Sequence, residues 1–229
     1  MKILGIDTSS RVLSIAFSRD GNVIIEENSA LEKTHASFLI PKIEGLLKKA
    51  RVSVKAIDGF IVGLGPGSFT GLRIGVSTVK GFGIATDKQC IGVSSLDSMA
   101  FGIDGDKDRT IVPIIDAKRG QVYSAIYSKE KTKLIKKTGY LLLGIDKLMK
   151  KIKGPAVFLG DGINLYREDI EKLNKKSIFL EEEYWYPRAG NLIRLGIKKI
   201  KKGKKSDLGK LQPIYLYPKD CQVKVKRIA

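Results

Sequence analysis

Apolar positions along the chain fall first into short strand-length runs and then into two long helical stretches. The runs Lys2 to Ile6, Val12 to Ser18 and Asn22 to Glu27 open the sequence. Asp20-Gly21 stands between the last two, and both residue types tolerate positive φ, so a tight hairpin is predicted there. Three antiparallel strands therefore come first. Ala36, Leu39, Ile40, Ile43, Leu46, Leu47 and Ala50 then recur at steps of three and four, the period of a helix. Pro41 has to lie near that helix's first turn or kink it. Ile57 to Val62 is unbroken and apolar, as expected of a strand covered on both faces. The glycine-rich run Gly63 to Gly71 follows, with Ser68 and Thr70 available as caps to a second helix reaching about Ala85. Gln89 to Val93 is a further short strand.

The second half repeats the plan. Ile111 to Ile115 meets Asp116 as Lys2 to Ile6 meets Asp7. Gln121 to Tyr127 alternates like a strand, and Lys133 to Tyr140 is its expected pairing partner. Asp146 to Ile152 is expected to be helical, and Ala156 to Leu159 is a strand ending in Gly160-Asp161-Gly162. Two β-β-β-α-β units in tandem predict an α/β protein of two lobes, residues 1–103 and 104–229. Leu192 to Lys202 is a basic amphipathic helix, and Pro213 to Leu216 a last strand.

The bulk numbers narrow the class. The chain has 229 residues and is 43% hydrophobic, enough for two modest cores. No apolar run approaches the roughly 20 residues that span a bilayer, and the N-terminal apolar stretch is too short for a signal peptide. Cys90 and Cys221 form no motif, so disulfide scaffolding is not expected and a cytoplasmic setting is. The net charge of +18 is uneven: residues 1–100 carry 12 Lys/Arg against 9 Asp/Glu, residues 101–229 carry 30 against 15. Six lysines lie within Lys198–Lys205. Such a half attracts polyanions. Arginine is scarce beside lysine, however, and no aromatics are interleaved to stack bases, which weighs towards a solvated surface with an auxiliary tRNA contact left open.

Candidate chemistry is sparse. His35 is the only histidine, which works against a zinc site or a Ser–His–Asp triad. The glycine run resembles a phosphate loop at a helix start, but Gly71 is followed by Leu72 and Arg73 where a Walker loop needs Lys-Ser/Thr. What remains is steric: Gly71 and Gly75 share one helix face, where another backbone can come close. From Phe69 to Thr86 the only charges are Arg73 and Lys80. A helix so apolar all round is expected to be covered on more than one side. The preceding helix is also broad in its apolar coverage, and together they point to a patch that another chain covers. Asp7 and Asp116 form the other constellation. They either converge on a nucleotide's metal between the units or cap their own turns, and spacing alone does not separate the two.

Ile6-Asp7-Thr8-Ser9, the segment Gly65 to Gly75, Gly92-Val93-Ser94-Ser95-Leu96 and the segment Ile115 to Tyr123 stand in an order that resembles the TsaB (formerly YeaZ) family. His35 in its Thr-His-Ala-Ser context and Pro213-Ile214-Tyr215-Leu216 resemble it too. The resemblance implies an actin-like, Hsp70-like two-lobed fold and a part in making N6-threonylcarbamoyladenosine (t6A) at position 37 of tRNA. It implies a non-catalytic subunit that pairs with the larger catalytic paralogue, TsaD, whose metal site uses paired histidines. A small ATPase, TsaE, joins that pair, so that ATP and metal belong to the partners. It also implies pairing through the two N-terminal helices, which designates Leu39, Ile43, Leu46, Leu47, Gly71, Leu72, Gly75, Val76 and Val79, and it allows a homodimer through the same surface. The enzymatic alternative is an ATPase or small-molecule kinase of the same fold, using Asp7 and Asp116 around Mg-ATP.

Overall fold

The protein was analysed as a computed structural model, which describes residues 1–30, 35–103, 110–130, 133–201 and 207–218. The first sheet is built by β1 (Lys2–Asp7), β2 (Val12–Arg19), β3 (Asn22–Ala30), β4 (Gly59–Gly63) and β5 (Gln89–Val93). Its order is β3-β2-β1-β4-β5, with β1, β2 and β3 antiparallel and β1, β4 and β5 parallel. Asp20 and Gly21 both take positive φ in the β2–β3 turn, as the hairpin requires. Helices α1 (His35–Lys49) and α2 (Phe69–Thr86) supply the crossovers between parallel strands. Pro41 lies inside α1, beyond its first turn. Ser68 caps α2, its Oγ accepting from the Gly71 N–H at 3.2 Å. A short helix α3 (Ser95–Phe101), which the periodicity did not indicate, leads out of the first unit.

The second sheet repeats the first with an insertion. Strands β6 (Thr110–Lys118) and β7 (Gln121–Ser124) are followed by the hairpin β8 (Tyr127–Glu130) and β9 (Lys133–Lys136), and only then by β10 (Leu141–Leu143). The pairing expected between Lys133–Tyr140 and Gln121–Tyr127 therefore divides: β9 pairs with β8, and β10 pairs with β7. After α4 (Ile145–Met149) come β11 (Ala156–Leu159), α5 (Ile163–Leu173) and β12 (Ser177–Phe179), giving the order β10-β7-β6-β11-β12. α5 escaped notice because it buries only Ile163 and Ile170, too few positions to reveal a period.

The expected tail helix is α6 (Ala189–Lys201). It lies on the first sheet, where Leu192, Ile193, Ile197 and Ile200 share a core with Ile3, Ala16 and Ile61. The core of the first unit thus draws on residues well beyond 103. No strand forms over Pro213–Leu216. That segment is an extended strap instead, its Ile214 N–H donating to the Leu64 carbonyl at 2.8 Å. Farther along, the Tyr217 hydroxyl donates to the Ala117 carbonyl at 2.7 Å, so the strap touches both units. Among the described residues no helix is long and apolar enough to cross a membrane.

Candidate functional site

The inner faces of α1 and α2 are fixed by the first core. Leu39, Ile43, Leu46 and Leu47 of α1 join Leu72, Val76 and Val79 of α2 in a cluster with Leu4, Ile6, Phe17, Phe60 and Val62. Gly71 and Gly75 are buried as well, and their close approach is to this chain's own turn after β1. A Cβ on Gly71 would sit closer than 3.0 Å to the Thr8 carbonyl oxygen, and one on Gly75 closer than that to Thr8 Oγ1. The Thr8 hydroxyl in turn donates to the Gly71 carbonyl at 2.7 Å. The nine residues expected to meet a partner are therefore core residues of the first unit. The apolar stripe that made them conspicuous is the stripe that holds each helix to its own sheet.

A different set of residues on the same two helices faces outward. Phe38 is 38% exposed, Ile40 49% and Ile84 73%, with Gly45 and Gly81 also exposed beside them. Between α1 and α2 lies a groove of about 410 Å³, lined by Ile40, Leu47, Val52, Val54 and Phe82 and rimmed by Glu44 and Lys48. The ring of Phe82 stacks on buried Phe60, with centroids 5.3 Å apart, which anchors the groove to the core. These positions could be found in the sequence only as apolar residues off the main stripe: Phe38 and Ile40 flank Leu39, and Ile84 follows Gly83.

The region between the sheets is stitched by the chain's own groups. One Asp7 oxygen accepts from the Ser9 N–H at 2.8 Å and the Ser9 hydroxyl at 2.6 Å. The other accepts from the Ser95 hydroxyl at 2.7 Å, and Gly63 leaves just enough room for that carboxylate. At the start of α2 the Ser68 N–H donates to the Ser9 carbonyl and the Leu72 N–H to the Ser68 carbonyl. Asp116 lies within β6, two residues before the strand ends, and accepts from the Lys118 N–H at 2.8 Å and the Lys118 ammonium at 2.6 Å. That hydrogen bond holds the Lys118 pKa above its ordinary value. Both aspartates thus serve their own turns.

Sequence reasoning did not single out four neighbours. Asp161, in the Gly160-Asp161-Gly162 turn, accepts from the Asp116 N–H, and burial pushes its carboxyl pKa up. Arg11 donates to the Tyr186 hydroxyl at 2.6 Å and pairs with Glu182, bridging the β1–β2 turn to the segment before α6. Among the described residues no group of three or more His, Cys, Asp or Glu is placed to hold a metal. A nucleotide-bound metal of the kind used by ATPases of this architecture does not fit these residues, because a fixed ammonium already neutralises Asp116 and Asp7 is engaged on both oxygens.

Cys90 is buried, its thiol donates to the Val79 carbonyl at 3.3 Å, and burial pushes its pKa up to about 11. Cys221 lies outside the described residues. At pH 8 only about one Cys90 thiol in a thousand is ionised. In a Cys221→Ser variant, native Cys90 should react with an aromatic disulfide roughly a hundredfold more slowly than in denaturant, where burial is lost. Comparable rates would show the site open.

Two tandem sheets, each flanked by helices and sharing one connectivity, define an actin-like two-lobed α/β protein. Similar solved structures support that class. YeaZ from Pseudomonas aeruginosa superposes with a TM-score of 0.79 at 24% identity, covering 94% of this chain and 99% of that one. An activator of 2-hydroxyisocaproyl-CoA dehydratase from Clostridium difficile, solved with bound ADPNP, gives 0.53 at 12% identity over 89% of this chain and 97% of that one. A family model described as TsaD, tRNA N6-adenosine threonylcarbamoyltransferase, matches residues 24–222. The Bacillus subtilis (strain 168) tRNA threonylcarbamoyladenosine biosynthesis protein TsaB is 32% identical over 228 residues, 98% of this chain and 97% of that one. The chain belongs to the TsaB (YeaZ) family.

Proposed function

We propose that this protein is a non-catalytic subunit of the machinery that places t6A in tRNA, and that it pairs with and activates a TsaD-type threonylcarbamoyltransferase. The observation that carries this reading is the outer face of α1 and α2, where Phe38, Ile40 and Ile84 stand exposed around an apolar groove anchored to the core. Exposed aliphatic and aromatic side chains grouped on two adjacent helices are what a helix-packing partner buries. Family membership supplies the chemistry of that partner. A TsaE-type ATPase completes the assembly, and in its absence two copies of this chain can pair through the same helices. Metal and ATP are held by the partners, because the carboxylates of this chain are bonded within their own turns.

Reconstitution tests the proposal. A mixture of the transferase, the ATPase and an unmodified tRNA should form t6A when this chain is added and far less without it. The isolated chain should show no heat of ATP binding at millimolar nucleotide with magnesium. Equal t6A yield with and without the chain would defeat the accessory role, and magnesium-dependent ATP binding would favour the kinase or ATPase alternative.

A further inference from the structure

We infer that one end of the second unit, formed by the loops that lead into β11 and β12, is a docking face for the phosphate backbone of tRNA. Lys150, Lys151 and Lys153 occupy the first loop and Lys175 and Lys176 the second, and all five are exposed. Neither the segment 147–155 nor the segment 172–180 contains an acidic residue. Among the described residues none of the five lysines forms an ion pair; the nearest such contact is the loose 4.0 Å approach of Lys172 to Glu168 within α5.

The two loops form one surface. Strands β11 and β12 run parallel and in register, with Ala156 opposite Ser177, so both loops enter the sheet at the same edge. Asn174 ties them: its Nδ2 donates to the Gly154 carbonyl at 2.9 Å while its Oδ1 accepts from the Lys176 N–H at 3.0 Å. Gly154 takes a φ of +78°, which turns the chain from α4 back into β11. Five ammonium groups are therefore held on a fixed frame with no carboxylate among them.

The chemistry of the face selects the ligand. Lysines are compact point charges suited to phosphate oxygens, whereas reading base edges favours arginine forks and stacked aromatics. The two loops carry neither, so this face positions a polyanion without reading its sequence. Given the proposed role in modifying tRNA, on which this inference rests, a folded RNA is the polyanion at hand. The face belongs to the second unit and the pairing helices to the first, so tRNA and transferase can be held together.

The test measures binding of an unmodified, fluorescently labelled tRNA to the full chain across a salt series. The variant K150A/K151A/K153A/K175A/K176A is compared with K55A/K88A/K137A/K198A/K199A, which removes the same charge elsewhere. The first variant should bind at least about tenfold more weakly, and its log–log salt slope should shrink by roughly 0.7–0.9 for each lysine that meets a phosphate. The second should lose much less. Thermal unfolding of both should match the unmodified chain, because the altered side chains are solvent-exposed. Equal losses in the two variants, no tRNA binding by the unmodified chain at the lowest salt, or a stronger preference for anionic phospholipid vesicles that the first variant abolishes would each overturn the assignment. Co-purification of the first variant with the transferase should be unchanged. Failure of the unmodified chain to pair would defeat the proposed function and leave the tRNA result to be judged on its own.

Discussion

Replacing Ile84 with glutamate is expected to abolish co-purification with the transferase while leaving the monomer folded. Ile84 is 73% exposed, so a carboxylate there is fully hydrated in the free chain and costs it little. In a helix-packed interface the same carboxylate would be stripped of water without a counter-charge, and hot-spot disruptions of that kind cost about 2 kcal/mol or more, roughly thirtyfold in affinity. Ile40→Glu should act in the same way from the other helix, at the rim of the groove. Val79→Glu is the instructive contrast: Val79 is fully buried, so that change should unfold the first unit and report nothing about pairing. Paired pull-down and thermal unfolding measurements separate the two classes. Full-strength pairing by the Ile40→Glu/Ile84→Glu double variant would remove this face as the partner surface.

Gly71→Ala should be among the most destabilising single methyl additions in the molecule. The new Cβ would lie closer than 3.0 Å to the Thr8 carbonyl oxygen, a backbone atom that cannot rotate away. The same shift would disturb the Thr8 hydroxyl bond to the Gly71 carbonyl. Overpacking against backbone costs about 3 kcal/mol, which in a protein of this size lowers Tm by roughly 6–12 °C. Gly45→Ala and Gly81→Ala go the other way. Nothing lies within 4 Å of a Cβ at either position, and an alanine in an open helical site stabilises by up to about 1 kcal/mol. Calorimetric melts of the three variants would decide the matter, and an unchanged Tm for Gly71→Ala would show that the β1–β2 turn yields easily.

These contrasts show where one-dimensional reasoning stops. Gly71 and Gly75 announced a close backbone approach, and the approach is real, but its target is Thr8, 63 positions earlier than Gly71. Spacing says that a surface will be covered; it cannot say whether the cover comes from the same chain. The same ambiguity affected Leu39, Ile43, Leu46 and Leu47, whose helical period records burial against the first sheet. Residues off the stripe, such as Ile40 and Ile84, carry no periodic signal and are visible only once the helix is set down on its sheet. Asp7 and Asp116 were legible as a related pair because the units repeat, but whether they converge or cap depended on Ser95 and Lys118.

The sequence by itself determined the local and repeating features: the Asp20-Gly21 hairpin, the Ser68 cap, the parallel strands β4 and β11, and the tandem order of elements. Each depends on φ preferences, capping or hydrophobic period, which act over a few residues. Only the tertiary structure decided what meets what. α6 returns to the first sheet, the strap at 211–217 touches both units, Leu141–Leu143 displaces the expected third strand, and Asn174 fuses two lysine loops into one face. Those choices are made by packing between residues tens of positions apart, where loop closure costs little more with length and the buried surface selects the partner.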